Sequence, residues 1–291
     1  MRAPLVAVVV VTVLSGCTAR APSPAGDAAS PAASASSPDL STTGTATTGV
    51  TPTPVVPPPP PKAACYRLGS AELTRPTHAG RPVPCSRRHT ALTIHVGRLE
   101  PAAAGGRLAV DSPAVQKHLA ETCPRRLAAF VGGSRRQRDL SRLAVVWFGP
   151  TLQEADAGAR WFRCDLVAFD RGATLLALPG ARRLRGVLDR TGALDAYGLC
   201  GTTAPGAAGF QRVACARRHS WRAIDTLALE GRSYPGARGA RRAGDAACKA
   251  EARSRAENTL SFRYGWEWPT AAQWRAGQRF GYCWAPERGP G

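Results

Sequence analysis

Residues 83–92 read VPCSRRHTAL and residues 213–222 read VACARRHSWR. The two stretches share the pattern V-x-C-x-R-R-H, in which a histidine follows a cysteine by four residues. A metal site, a cysteine nucleophile with its base, and a structural repeat would each produce such a pair. The rest of the sequence decides among them, because a repeat requires further residues to recur at matched spacings.

A second pair of stretches favours the repeat. Residues 147–164, WFGPTLQEADAGARWFRC, align without a gap with residues 266–283, WEWPTAAQWRAGQRFGYC. The residues before the shared Pro-Thr predict a strand, the threonine predicts the N-cap of a short helical turn that a glycine closes, and the final cysteine lies in a predicted returning strand. The recurring signature residues are Pro150 and Pro269, Gly158 and Gly277, and Arg160 and Arg279.

The N-terminal residues predict an exported lipoprotein. Arg2 precedes an uncharged apolar stretch at residues 4–14, which is too short to span a bilayer and is followed by Leu-Ser-Gly-Cys. This arrangement resembles the bacterial lipobox, so we expect residues 1–16 to be a signal peptide and Cys17 to carry the lipid. Two or more acyl chains on one residue are enough for stable anchoring. The expected location is the extracytoplasmic face of the cell membrane.

The next segment predicts a disordered tether. Residues 17–62 are rich in Pro, Ala, Ser and Thr and end in a run of prolines, so they bury too little apolar surface to offset chain entropy. The proline run favours polyproline II. The predicted organisation is a signal peptide at 1–16, the tether at 17–62, a first unit at 63–180, a linker at 181–197 that contains a short helix, a second unit at 198–286 and a tail at 287–291.

The cysteines predict a disulfide framework. Of nine cysteines, Cys17 is assigned to lipid, and the remaining eight form two sets of four with matched surroundings. Eight cysteines allow 105 pairings, and the repeat favours pairing within each unit, first with second and third with fourth. The expected bonds are Cys65–Cys85, Cys123–Cys164, Cys200–Cys215 and Cys248–Cys283.

The third cysteine of each set lies in a predicted helix. Ser112 and Pro113 mark the start of the first helix, in which Pro124 is expected to cause a break or a kink, and the second helix is expected to start at Asp245. The expected fold class is therefore α+β, with two similar disulfide-stapled domains. Each is expected to consist of a small antiparallel sheet with one or two helices.

These motifs resemble the septum-formation-related domain of actinobacterial membrane proteins and lipoproteins. The family pattern V-P-C-x-x-x-H is matched by Val83, Pro84, Cys85 and His89. A second family pattern, P-T-x-x-x-W-x-x-G-x-R-x-x-x-C, is matched from Pro269 to Cys283, whereas the first unit has Ala155 in place of the tryptophan. The resemblance implies an envelope protein with a link to cell division or wall growth, and it implies no particular chemistry.

The Cys–His pairs are expected to be structural. Zinc and nucleophilic catalysis both require a free thiolate, whereas all eight remaining cysteines are expected to form disulfides. We therefore expect no catalytic residue, no metal and no cofactor. His89 and His219 are expected to accept or donate a hydrogen bond at a strand start, and a surface histidine used for partner or pH sensing is the alternative. Trp266 and Trp274 are expected to pack in the core, with a carbohydrate or peptide platform as the alternative.

The charge predicts contact with polyanions. The chain has 39 basic and 20 acidic residues, a formal net charge of +19, and almost all of the excess is arginine. Codon bias would explain arginine in place of lysine but not the excess itself. Outside a membrane such a protein meets anionic lipid headgroups and wall polymers, and it meets no nucleic acid. The candidate anion contacts are Arg87, Arg88, Arg217 and Arg218.

Two functions follow from these observations. The preferred one is a non-catalytic, membrane-anchored lipoprotein that binds or scaffolds, with a cell-division or envelope protein as a further candidate partner. The alternative is an envelope enzyme that acts on a wall polymer. Its acidic candidates Glu154, Asp156 and Asp165 correspond to Gln273, Arg275 and Trp284 in the second unit, so its site would belong to one unit only.

Overall fold

The computed structural model describes residues 56–100, 110 and 112–287. The predicted signal peptide, Cys17, tether residues 18–55 and residues 288–291 of the tail lie outside the described residues. Residues Pro52–Gly291 make up one compact unit, which contains both repeats.

The first repeat is an antiparallel sheet with helices between its strands. The strand order is β1-β2-β4-β3, and Val83 forms an additional bridge to Cys65 at the β1 edge. Its elements are β1 (Cys65–Tyr66), β2 (Ala91–Arg98), α1 (Pro113–Val131), α2 (Arg135–Asp139), β3 (Leu143–Phe148), α3 (Leu152–Asp156) and β4 (Trp161–Ala168).

A linker with short helical segments leads into the second repeat, whose sheet has the order β6-β5-β7-β9-β8. The linker contains α4 (Ala181–Leu184), a 3₁₀ turn (Val187–Asp189) and α5 (Ala193–Tyr197). The second repeat contains β5 (Leu199–Gly201), β6 (Arg212–Ala214), β7 (Trp221–Ala228), α6 (Gly236–Arg255), β8 (Gly265–Glu267), α7 (Ala271–Arg275) and β9 (Phe280–Pro286).

The two sheets match in order and in register. In each of them the two central strands, β2 with β4 and β7 with β9, pair over almost their whole lengths. The register shifts between Thr93 and His95 in the first sheet and between Ala223 and Asp225 in the second, which are equivalent positions. A β-bulge conserved between two halves of one chain is a designed feature of the fold. The α+β fold class is confirmed.

The four disulfides join the pairs expected from the repeat. One bond in each repeat ties the turn before the first long strand to the preceding strand, and the other ties the long helix to the last strand. The bonds are Cys65–Cys85, Cys123–Cys164, Cys200–Cys215 and Cys248–Cys283, with Cα–Cα distances between 5.0 and 5.4 Å. Such distances are within the normal range for a disulfide.

The short helices form where the Pro-Thr motifs predicted them. Thr151 and Thr270 are N-caps whose hydroxyls accept the N–H of the third helical residue, and that residue in turn accepts the N–H of the cap. This reciprocal arrangement is a capping box, and it satisfies two donors that a helix start would otherwise leave free. Gly158 and Gly277 follow the helices with φ of 103° and 95°, a region that favours glycine.

Both long helices differ from the sequence-based expectation. Helix α1 continues through Pro124 as one element, so the expected break at this proline is wrong. A proline inside a helix removes a hydrogen bond and costs about 3 kcal/mol. Burial of the neighbouring Cys123 and Leu119, and the disulfide of Cys123, hold the helix on the sheet in spite of this cost.

Helix α6 starts at Gly236 instead of Asp245. Its first half contains glycines, which lower helix propensity and so conceal the helix in the sequence. One of them, Gly244, is buried, and a Cβ atom at this position would overlap the indole ring of Trp266. Close packing against a tryptophan therefore requires the glycine and outweighs its poor propensity.

The long helix covers one face of each sheet. In the second repeat, Trp266 and Trp274 are buried with Cys248 and Cys283 in the core beneath α6, as the core-packing prediction required. The other face of the second sheet is covered by residues of the first repeat and the linker. Leu140 and Leu194 pack there in one apolar cluster with Tyr282 and Trp284. In the described part of the chain, no helix has both the length and the apolar composition needed to cross a membrane.

We predict that Gly244→Ala destabilises the protein, although alanine favours helices by about 1 kcal/mol over glycine. The added methyl group must displace the ring of Trp266, and overpacking of this kind costs about 1–3 kcal/mol. Chemical denaturation of the full chain measures the effect. A variant as stable as the wild type, or more stable, would contradict this account of the helix.

Candidate functional site

The two Cys–His corners have the same backbone geometry. In each corner the cysteine lies in a turn: the N–H of Arg87 donates to the carbonyl of Pro84 at 2.9 Å, and the N–H of Arg217 donates to that of Ala214 at 2.8 Å. The disulfide then holds the turn against the neighbouring strand. The next strand begins two residues after the histidine in both repeats.

The histidines fix these turns from the inside. The Nδ1 atoms of His89 and His219 lie 2.8 Å and 2.6 Å from the carbonyl oxygens of Arg87 and Arg217. Because a carbonyl oxygen only accepts, Nδ1 carries the proton and donates. Both side chains are buried, with exposed fractions of 1% and 7%, so neither is a surface histidine. Each histidine therefore makes the hydrogen bond to a backbone carbonyl that a structural role at the start of a strand requires.

A metal ion could bind at the second corner only if the disulfide there were reduced. Cys200, Cys215 and His219 place possible ligand atoms within 4.8 Å of one another. The two sulfur atoms are bonded to each other, and zinc binds thiolates rather than disulfide sulfurs. The donor set therefore does not fit a metal while this disulfide is intact.

The repeated arginines of the Pro-Thr motif bind backbone and aromatic groups. Arg160 donates to the carbonyls of Ala155 and Ala159, at 2.7 and 2.9 Å, and so closes the end of α3. Arg279 lies 4.2 Å from the ring centroid of Trp274, a stacked position that Ala155 cannot offer in the first repeat. Both contacts are structural.

The first corner exposes a group of arginines. The side chains of Arg87 and Arg88 are exposed, and the guanidinium of Arg67 joins them because its Nε donates to the carbonyl of Arg88 at 3.0 Å. Among the described residues, no carboxylate lies within ion-pair distance of these three arginines. Their charges are therefore available to an external anion.

The second corner differs from the first because Arg217 is already paired. Its guanidinium donates to both carboxylate oxygens of Asp170, at 2.8 and 2.9 Å, in a bidentate contact. Asp170 follows the last strand of the first repeat, so this ion pair joins the two repeats. The remaining arginine of the corner, Arg218, is exposed.

The linker adds further arginines beside the first corner. The N–H of Leu178, three residues before the linker, donates to the carbonyl of His89 at 2.9 Å, so the segment that leads into the linker contacts this corner. Arg190 then donates to the carbonyls of Arg183, Arg185 and Arg182, at 2.7, 2.8 and 3.4 Å. We use the term arginine surface for the exposed residues Arg67, Arg87, Arg88, Arg182, Arg183, Arg185 and Arg190.

The three acidic candidates do not form a common site. Glu154 accepts the N–H of Thr151 at 2.7 Å and serves the cap of α3, and Asp156 is exposed on the same helix. Asp165 is fully buried in β4 and accepts a hydrogen bond from the hydroxyl of Thr93 at 2.8 Å. Two of these carboxylates therefore have structural partners.

Sequence reasoning missed the buried partner of Asp165. Arg163, only 2% exposed, places its Nε 3.0 Å from a carboxylate oxygen of Asp165 and its Nη2 2.8 Å from Nδ1 of His78. Its guanidinium also lies 3.7 Å from the ring centroid of Tyr66 and 4.8 Å from that of Phe148. Burial, and then the charge of Arg163, lower the pKa of His78, which accepts from the arginine.

One signal for this cluster was present in the sequence. Arg163 and Asp165 are two residues apart in an otherwise apolar strand, WFRCDLVA, and thus point to the same face. The corresponding residues of the second repeat are Tyr282 and Trp284, which make that face aromatic. Burial raises the pKa of Asp165 to about 6, against the opposing effects of Arg163 and Thr93.

We predict that His89→Ala lowers the free energy of unfolding by about 1–3 kcal/mol, since it leaves the carbonyl of Arg87 without its buried donor. His118 is exposed on α1, and His118→Ala serves as the control, with an expected effect of less than about 0.5 kcal/mol. Denaturant titration measures both variants. Equal effects would contradict the structural role of His89.

A second prediction concerns pH. The folded chain holds the proton of Asp165 up to about pH 6, whereas a free aspartate loses it near pH 3.8. The stability that this group contributes is therefore present below about pH 4 and is lost as the pH rises to about 6.

Asp165→Asn removes this titration. The stability of the wild type minus that of the variant should fall by about 3 kcal/mol between about pH 4 and about pH 7. Denaturation of both proteins across this range measures the difference. A difference that stays constant or grows with pH would contradict the raised pKa.

Comparison with known proteins identifies the family. The family described as Septum formation matches residues 134–283, which is just over half of the 291 residues. The match begins at the N-cap of α2 and ends at Cys283, so it includes the second Cys–His corner but not the first. No curated protein and no solved structure matches this chain. The chain belongs to the septum-formation family.

Proposed function

We propose that this protein is a non-catalytic binding or scaffolding lipoprotein, held at the outer face of the cell membrane by a lipid on Cys17. In this proposal the arginine surface binds an anionic component of the envelope, and the bound protein acts in septum formation or in wall growth. The link to septum formation rests on membership of the family.

The observation that carries the proposal is that the arginine surface is exposed and has no carboxylate within ion-pair distance among the described residues. Several carboxylates elsewhere in the described structure pair with other arginines: Asp225 pairs with Arg136, and Glu287 with Arg222. Further pairs are Asp170 with Arg217, Asp195 with Arg222, Glu267 with Arg212 and Glu251 with Arg255. The arginine surface has no such partners among the described residues, and clustered like charges favour an external polyanion.

The contacts of the acidic residues also support a binding role over catalysis. A general acid or base must reach a reacting group, whereas Asp165 is fully buried and Glu154 caps a helix. Neither carboxylate is placed to act on a wall polymer without loss of its structural contact.

Anionic lipid headgroups and anionic wall polymers offer the same chemistry to the arginine surface, and an acidic envelope or cell-division protein would also fit. A lipid anchor raises the local concentration of such surfaces, so individually weak contacts are sufficient. Each arginine near an anionic surface contributes about 1 kcal/mol.

The proposal is tested with the unlipidated chain, made from residue 17 with Cys17→Ser, and with vesicles that contain phosphatidylglycerol. Arg87→Glu with Arg88→Glu should weaken binding by about tenfold or more, because each arginine contributes about 1 kcal/mol and each glutamate adds repulsion. Co-sedimentation at several salt concentrations measures the affinity.

The matched control is Arg238→Glu with Arg242→Glu on α6, which changes the net charge equally at two other exposed arginines. This control should bind more tightly than the corner variant. Equal losses in the two variants would show that net charge alone drives binding, and an unchanged corner variant would reject the arginine surface. Repeating the assay with a wall polymer in place of vesicles separates the two candidate anions.

A further inference from the structure

The proline run packs on the first repeat with a regular pattern. Pro57 and Pro60 are half-buried, whereas Pro58, Pro59 and Pro61 are exposed. This pattern repeats every three residues, which is the period of polyproline II. One edge of the proline helix therefore faces the folded repeat.

The surface beneath this edge is a groove between the end of β2 and the start of β4. The folded repeat contributes Val96, Gly97 and Arg98 on one side and Gly158, Ala159 and Trp161 on the other, and the proline run lies against them. A cavity of about 340 Å³ remains between this surface and the side chains of Val56, Pro57 and Pro59. We call this surface the proline groove.

The glycine that ends α3 makes room for the chain. A Cβ atom at Gly158 would lie 3.1 Å from a methyl carbon of Val56, which is closer than an ordinary van der Waals contact. Gly158 therefore has two roles in this repeat: it ends α3, and its lack of a side chain leaves space for Val56.

Trp161 adds an aromatic ring to the proline groove. Its side chain is only 9% exposed, and its indole N–H has no acceptor in the described part of the chain. Aromatic-lined grooves are the usual sites of polyproline II recognition. The indole N–H has no acceptor with the proline run in place, so Trp161 contributes its ring to the lining of the groove.

The turn after the prolines holds the run in place. Ala63 has a φ of 57°, which is uncommon for a residue other than glycine, and its N–H donates to the carbonyl of Thr93 at 3.1 Å. The disulfide that follows at Cys65 fixes this turn to the first corner. The turn and the disulfide therefore set the direction in which the prolines leave the sheet.

The second repeat provides a natural contrast. Gly277 has almost the same backbone conformation as Gly158, but no described atom lies within 4 Å of the position that its Cβ would take. By the repeat alignment, Phe280 stands where the first repeat has Trp161, so the second repeat lacks the tryptophan that lines the proline groove.

We propose that the surface beneath the proline run is a binding site for proline-rich polyproline II segments, and that residues 56–61 lie against it as its resident ligand. This occupancy clamps the end of the tether to the first repeat, so the folded part has a defined attachment point. A proline-rich segment of the same chemistry, supplied in trans, competes for the site.

The experiment uses a fluorescent peptide with the sequence of residues 51–61, TPTPVVPPPPP, and the full chain. Replacing Val56, Pro57 and Pro60 with serine in the protein empties the groove. The emptied protein should bind the peptide at least about tenfold more tightly than the wild type, because the resident segment competes at a high effective concentration. Fluorescence anisotropy measures the affinity.

Two matched glycine variants of the emptied protein locate the site. Gly158→Val should abolish peptide binding, whereas Gly277→Val should preserve it, although both place a valine at a similar positive φ. Equal affinities in these two variants, or no peptide binding by the emptied protein, would overturn the proposal.

A change in the peptide tests the same contact without altering the fold. A peptide with aspartate in place of Val56 and alanines in place of the prolines should lose at least about tenfold in affinity for the emptied protein, because it lacks the preformed polyproline II helix. Binding that does not distinguish the two peptides would also overturn the proposal.

Discussion

Each repeat depends on one disulfide that joins its long helix to the last strand of its sheet. Cys123, Cys164, Cys248 and Cys283 are all fully buried at the centres of their cores. The sheets are small, and a small core alone stabilises a fold only marginally. Closing loops of 41 and 35 residues restricts the unfolded chain and contributes about 4 kcal/mol for each bond. These bonds place the helix, the bulge and the capped turn in the same relation in both repeats.

The same framework encloses two different interiors. The face of the first sheet that points away from the long helix contains the buried charged pair Arg163 and Asp165. The rings of Tyr66 and Phe148 and the side chain of His78 surround this pair. The equivalent face of the second sheet is aromatic and packs against residues of the first repeat and the linker. A buried ion pair contributes little net stability, but it requires specific partners, whereas an aromatic face can pack against a neighbouring repeat. The aromatic face of the second sheet therefore contributes to the contact between the repeats, whereas the charged pair is enclosed within the first repeat.

Ion pairs also lie where the two repeats meet. Several acidic residues pair with arginines across the contact between the repeats, such as Asp170 with Arg217 and Asp225 with Arg136. These pairs neutralise acidic side chains at the contact between the two repeats. Exposed arginines without a carboxylate partner in the described structure remain at the first corner, in the linker and on α6, and the first two of these regions form the proposed site for the anionic partner.

The amino-acid sequence was sufficient to predict the α+β class and the capped turns after Pro150 and Pro269, and it favoured the observed disulfide pairs and the hydrogen bond of His89. Each of these has a local pattern, and the repeat presents the pattern twice. The early start of α6, the continuous helix at Pro124, the bidentate pair of Arg217, the buried pair of Arg163 and the proline groove became visible only in the folded structure. These features depend on contacts between residues far apart in the chain, such as Gly244 with Trp266 or Val56 with Gly158. Periodicity and helix propensity report only on neighbouring residues, so they carry no information about which distant side chain will fill a given space.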